Sequence, residues 1–362
     1  MGQAVRDALA IAVQIGQPVL LWGGPGEGKS RLIAQVAEQL GRPCEVVVGS
    51  VREASDFVGL PVRDPGGSVT FAPPRWATRC LDEPTTVVFL DELTTAPPSV
   101  QAAMLRVVLE REVGDLRLPD SVSFVAAANP PDVSAGGDDL APPLANRFCH
   151  LDWEAEPARW VAGLLHGWEP PPIPIVPAER GAIETIWRAT LAGFIGARPS
   201  ILRRVPEDIV AQGRAWPSPR TWDQAHRAAA AADAAGADRK VRQALVAGLV
   251  GAGAALELLR FADAMDLPDP EELLADPSSL DPSSRIDLLL ASLAGVTAAV
   301  AGRPTLDRWH AAWAVLGVAC DAGRADVAAL SAVGLIDLRE DGWPAPPEAV
   351  AFAPTLRAAE LI

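Results

Sequence analysis

The sequence predicts an α/β domain built on a parallel sheet with flanking helices, followed by a half that is entirely helical. Three observations carry this reading. Short apolar runs alternate with helix-spaced segments as far as residue 155, the proline-rich stretch 169–177 then interrupts the chain, and beyond it alanine and leucine recur at helical spacing.

The first strand candidate, 19–22, is the continuous apolar run Val-Leu-Leu-Trp, which reads as a buried strand. Glycines follow it, and Leu32, Ile33, Val36, Ala37 and Leu40 then mark one face of a helix. Further strands are expected at 45–48, 86–90 and 122–128, with a fifth beginning at 151–153. Asp64, Pro65, Gly66 and Gly67 form a turn signal between Val62 and 69–71, which predicts a small hairpin inserted in the sheet's connections. Residues 169–177 cannot be helical with so many prolines and read as an extended linker. Helices are expected at 182–195, 200–204, 220–235, 239–265 and 285–301, and the acidic, proline-bearing stretch 266–281 separates the first helical group from a terminal one. Leucine and valine stripes within the alanine-rich runs favour packed helices over disorder. Trp309 and Trp313, one helical turn apart, are expected in the core of a terminal bundle.

With 362 residues and 49% apolar content, the chain can bury more than one sizeable core. Its longest uncharged apolar stretch, 288–302, is shorter than the ~20 residues a spanning helix needs. The N-terminus shows no basic segment followed by an apolar signal region, so a soluble, cytoplasmic chain is expected. Cys44, Cys80, Cys149 and Cys320 lie far apart without metal-ligand spacing, and reduced thiols are expected. The net charge of -15 argues against broad attraction to nucleic acid or an anionic membrane. Residues 261–362 hold sixteen acids against six arginines, a solvated surface or a face for a basic partner.

Lysine is nearly absent: Lys29 and Lys240 stand against twenty-nine arginines. Lys29 lies in the run Gly23, Gly24, Pro25, Gly26, Glu27, Gly28, Lys29, Ser30, between a strand and a helix. Glycine lets backbone amides approach a polyphosphate closely, and the helix start adds its positive end. In such a loop Lys29 reaches the outer phosphates and the Ser30 hydroxyl holds Mg2+. The strand at 86–90 ends in Asp91 and Glu92, two acids facing the same edge. Asp91 is placed for the metal through its water shell and Glu92 to polarise a water for attack on phosphorus. The strand at 122–128 ends in Asn129, a neutral amide suited to sensing a terminal phosphate. Arg147 follows in an apolar frame, and Arg220 opens a later helix after Ser218 and Pro219.

These motifs, in this order, resemble the AAA+ ATPases, and among them the MoxR family of the helix 2 insert clade. The resemblance covers residues 4–235 and rests on the glycine loop, Leu90-Asp91-Glu92 before Pro97 and Pro98, Asn129-Pro130, Arg147-Phe148 and Ser218-Pro219-Arg220. It implies an α/β P-loop NTPase with an AAA+ core at 1–168, the linker 169–177, an all-α lid at 178–280 and a C-terminal helical region at 281–362. It also implies sensor roles for Asn129 and Arg220, an arginine finger at Arg147, and a ring, often a hexamer, with ATP and Mg2+ at subunit boundaries. Phe57, in Phe57-Val58-Gly59, stands where ring ATPases carry a pore loop and is a candidate substrate contact, with core packing the alternative. The hairpin near Gly66 matches the clade's insert.

The function expected is Mg-dependent ATP hydrolysis in a chaperone-like ring that remodels, activates or assists maturation of a protein partner, a von Willebrand factor A domain protein being the family's common one. A nucleic-acid motor is the rival from another class, disfavoured by the acidic charge. A nucleotide-controlled assembly scaffold with little turnover is a second, and a small-molecule kinase a third that lacks an identifiable acceptor site.

Overall fold

The computed structural model describes residues 2–63, 65–130, 140, 142–265 and 267–358. Asp64 of the expected turn, Asp266 of the acidic separator and residues 359–362 of the expected C-terminal region lie outside the described residues. The chain forms two compact units, residues 1–176 with 203–255, and residues 177–202 with 256–362.

The first unit opens with helix α1 (Gly2–Gln14), then strand β1 (Val19–Trp22), helix α2 (Lys29–Gln39) and strand β2 (Cys44–Val48). A single turn, α3 (Ser55–Val58), leads to an antiparallel hairpin of β3 (Leu60–Arg63) and β4 (Val69–Ala72), followed by α4 (Arg75–Asp82) and β5 (Val87–Asp91). Helix α5 (Pro98–Glu110) begins with proline in its first turn, where a missing N–H costs nothing. A second small hairpin, β6 (Glu112–Val113) with β7 (Leu116–Arg117), precedes β8 (Ser123–Ala128), α6 (Pro142–Ala145), β9 (Cys149–Asp152) and α7 (Pro157–His166).

Five strands form one parallel sheet in the order β2-β5-β8-β1-β9. Strands β1 and β8 are buried at every position, as a sheet covered by helices on both faces demands. Because the chain leaves β1 and crosses past two strand positions to reach β2, a crevice opens at the carboxyl end of β1, where such sheets place ligands. The α/β core with a helical remainder is the architecture the sequence predicts.

The first unit is completed by α9 (Ile209–Gln212), α10 (Pro219–Ala234), α11 (Arg239–Val250) and the start of α12 (Ala252–Asp263); α8 (Gly181–Ala197) precedes them in sequence but belongs to the second unit. Ser218 caps α10 in a reciprocal capping box with Thr221. The single helix expected over 239–265 is two, because Gly251 breaks it at φ +82 with Ala215 O only 3.0 Å from where a Cβ would stand. The helix expected at 200–204 is one short turn, Pro199–Ile201.

In the second unit, α8 and the remainder of α12 join α13 (Pro270–Ala275), α14 (Ile286–Gly302), α15 (Leu306–Asp321), α16 (Ala325–Asp337) and α17 (Pro347–Ala358). Glycines allow α14 to be approached closely: a Cβ at Gly193 would stand 2.9 Å from the Asp287 Cβ, and one at Gly334 3.0 Å from a Thr297 methyl. Trp309 and Trp313 are buried with ring centroids 6.0 Å apart, and Phe352 closes the cluster. The core position expected for both tryptophans is the one they occupy.

Candidate functional site

The glycine loop leaves the end of β1 and closes into α2. Gly26 and Gly28 hold φ of +81 and +82, a conformation that costs other residues about 1 kcal/mol or more. A Cβ at Gly23 would stand 2.6 Å from Trp153 O, and one at Gly24 2.9 Å from the Glu27 carboxylate. No side chain caps the start of α2, so its first-turn amides remain available to an anion. The cradle therefore fits a phosphate group on geometry that only glycine permits.

Lys29 extends along the loop. Its ammonium donates to Gly23 O at 2.6 Å, Gly24 O at 3.0 Å and Asn129 Oδ1 at 2.8 Å. Burial lowers its pKa from the usual lysine value, opposed by the charges of Asp91 and Glu27. The next residue, Ser30, donates its hydroxyl to Asp91 Oδ2 at 3.2 Å. Three segments separated by crossovers thus meet at the ends of neighbouring strands β1, β8 and β5. A serine hydroxyl beside one carboxylate is a donor set suited to Mg2+, which takes few protein ligands and fills its octahedron with phosphate and water.

Glu92 stands just beyond β5 with φ 56, an uncommon backbone for a residue with a Cβ. Its carbonyl accepts from Thr95, and its amide donates to Asp91 Oδ1 at 2.9 Å. The carboxylate accepts a hydrogen bond from the Ser50 hydroxyl. Sequence reasoning missed Ser50. The available signal was its place just after β2, the strand beside β5, where a polar side chain reaches the same edge.

Arg147 and Arg220 form a separate cationic pair. Arg147 donates to Pro143 O at 2.5 Å, while its buried Nε has no partner among the described residues. Burial, with the Arg220 charge added, holds its pKa below the usual arginine value. Asn146 ties the two segments together, accepting from the Ser218 hydroxyl at 2.9 Å. Neither arginine makes an ion pair among the described residues, an arrangement open to an external anion.

Phe57 is corrected. It is 1% exposed and packs on Trp76 with ring centroids 6.1 Å apart, inside the core that lines one face of the sheet. The side chain reaches no surface in this structure, because α3 turns its apolar face inward. Apolar side chains that do reach solvent nearby are Leu60, Val62, Val69 and Phe71 on the β3–β4 hairpin. That hairpin is fixed at its base, where the Phe71 amide donates to Asp115 at 2.7 Å and a Cβ at Gly114 would stand 2.4 Å from Phe71 O.

Sequence reasoning also missed a cavity of about 830 Å³ beside residues 25–28 of the loop. Leu32, Gln35, Trp153, Trp160 and Trp168 line it. Its aromatic walls, Trp153, Trp160 and Trp168, come from one stretch more than a hundred positions after the loop, and no local motif announces them.

His150 on β9 is buried and neutral. It accepts from the Trp22 indole N–H at 2.9 Å and pairs with Ala145 O at 2.9 Å. Burial is the main cause lowering its pKa from 6.5 to about 4. Above the unfolded value both states are neutral. Between pH 6.5 and 4 the unfolded chain binds a proton that the folded one does not, so stability falls as pH falls through that window. The full effect is about 3 kcal/mol. Urea midpoints measured from pH 7 to pH 4 should fall more steeply for the wild type than for His150→Gln; equal slopes would remove this account.

A parallel sheet with a glycine loop at the end of a central strand and an acid pair on a nearby one defines a P-loop nucleotide-binding domain. Residues 18–148 match the family model of the AAA domain, dynein-related subfamily. The chain thus carries an AAA+-type P-loop ATPase domain. Among solved structures, a Cytophaga hutchinsonii protein provisionally named an ATPase is similar at 16% identity and a TM-score of 0.40, over 67% of this chain and 79% of that one. Among the described residues, no helix is long and apolar enough to cross a membrane.

Proposed function

We propose that this chain hydrolyses ATP with Mg2+ as a subunit of a ring, acting on a protein partner that it remodels, activates or helps to mature, as the MoxR proteins it resembles do. The observation that carries the reading is the meeting of Lys29 with Asn129 and of Ser30 with Asp91 at one sheet edge. In this reading residues 23–30 cradle the phosphates, Lys29 neutralises their charge, and Ser30 and Asp91 hold the metal. When bound, Mg2+ draws charge from the phosphate oxygens and orients them. Glu92 polarises the attacking water, and Asn129 orients the water and reports the terminal phosphate. The tryptophan-lined cavity takes the base, whose flat apolar faces match Trp160 and Trp168.

Arg147 is assigned to a neighbouring subunit's nucleotide and Arg220 to its own, with a hexamer the size expected by family likeness. The exposed apolar residues of the β3–β4 hairpin replace Phe57 as the candidate contact with a protein substrate. A von Willebrand factor A domain protein is the first partner to try. The charge of -15 disfavours nucleic acid as the substrate.

Two measurements test this. The ATPase rate per subunit should rise with protein concentration and then level, since assembly completes the site. Lys29→Ala should weaken ATP binding by about two orders of magnitude, the loss of close charge-assisted contacts to phosphate. Wild-type affinity in a fluorescent-nucleotide titration of that variant would sink the assignment of the loop. A rate raised severalfold by DNA, and lost with salt, would favour the nucleic-acid motor instead.

A further inference from the structure

We propose that His150 is a positioning residue that ties the strand entering the phosphate loop to the turn carrying Arg147, so that the setting of Arg147 follows the loop of its own chain. The proposal rests on the reading of Arg147 as a group that serves a neighbouring subunit.

Trp22 is the last residue of β1 and directly precedes Gly23, whose carbonyl holds the Lys29 ammonium. An indole N–H can only donate, so His150 Nδ1 is the acceptor of their 2.9 Å hydrogen bond. The ring proton then lies on Nε2 and is donated to Ala145 O, also at 2.9 Å. Ala145 ends α6, and Arg147 follows two residues later, bonded back to Pro143 on the same turn. One neutral imidazole with both nitrogens committed therefore bridges the two elements.

The bridge is rigid. Indole and imidazole planes lie within 14° of parallel, and Trp22, Ala145 and His150 are all buried. From another side the Arg214 guanidinium stands 4.2 Å from the Trp22 ring while pairing with Asp152 at 2.8 Å. A shift of Trp22 has little free volume to absorb it and passes to Ala145. An apolar residue at 150 would fill the space as well, matching its strand neighbours Cys149 and Leu151. It would leave the Trp22 N–H without its partner.

The test compares His150→Phe, His150→Gln and Trp22→Phe in the full chain. His150→Phe should lower kcat about tenfold while KM and nucleotide affinity stay within about twofold, the signature of a group needed only in the transition state. His150→Gln, whose amide can accept from Trp22 and donate to Ala145, should retain most of the rate. Trp22→Phe, which removes the donor along with part of the ring, should copy His150→Phe and keeps the test open if that variant folds poorly. Mixed with Lys29→Ala subunits, whose His150 and Arg147 are intact, His150→Phe should regain activity. Wild-type kcat in both His150→Phe and Trp22→Phe overturns the proposal, as does a loss confined to KM or one that mixing does not restore. Arg147→Ala mixed with Lys29→Ala is the control. If that mixture fails to recover, the neighbour reading itself falls; if it recovers and the His150→Phe mixture does not, only the role of His150 falls.

Discussion

Glu92→Gln is expected to keep ATP bound and to lower the rate of hydrolysis by about two to four orders of magnitude, the usual contribution of a positioned general base. The amide preserves the shape of the side chain and can still accept from Ser50, so the local fold should hold. What it loses is the negative charge that draws a proton from water. The backbone at Glu92 sits at φ 56 and is pinned through the Thr95 hydroxyl and the neighbouring Asp91 carboxylate, which fixes the direction of the side chain beside Ser30 and Asp91, the proposed metal ligands. In the present geometry one carboxylate oxygen accepts from Ser50, which leaves the other to serve a water. Single-turnover hydrolysis, with binding measured separately, checks the prediction. A glutamine variant that turns over within twofold of the wild type would show that another group activates the water.

The sheet and the loop were legible because their signals are local. Four apolar residues, then glycines, then a helix stripe define β1, the loop and α2 within about twenty positions, and Asp91 and Asn129 stand at strand ends by the same logic. Phe57 was ambiguous in sequence because an aromatic-Val-Gly run suits both a surface loop and a core turn. Trp76, nineteen residues on, decides it by supplying the ring against which Phe57 is buried. Gly251 was invisible inside an apolar helical pattern, since tolerance of glycine in a helix and a break at glycine look alike until the φ is known. His150 carries no motif at all. Its meaning comes from the parallel register that sets β9 beside β1: residue 150 pairs with Leu20, and Trp22, two residues on and on the same face, reaches its ring across 128 positions of sequence. The close approach of α14 to α8 through Gly193 is likewise a pairing over a long separation that periodicity alone does not encode.

Arg147→Ala carries the other large expected effect, a loss of about three orders of magnitude or more in hydrolysis, the scale on which arginine fingers act. Among the described residues its guanidinium is held by Pro143 O alone, its buried Nε has no partner, and the nearby charge is the cation of Arg220. Nothing acidic among the described residues compensates it, so an anion supplied from outside would gain the charge. If that anion is the nucleotide of a neighbouring subunit, the defect belongs to the boundary rather than to the chain. Arg147→Ala subunits keep a usable phosphate loop, and Lys29→Ala subunits keep a usable arginine. Mixing two inactive proteins should then restore part of the activity, because one class of boundary joins an intact loop to an intact Arg147. Assembly of both variants into the same particles must be verified by differential labelling. Mixed particles that remain inactive would place Arg147 at its own chain's nucleotide, or in a salt bridge with a partner, and would remove the ring-boundary mechanism.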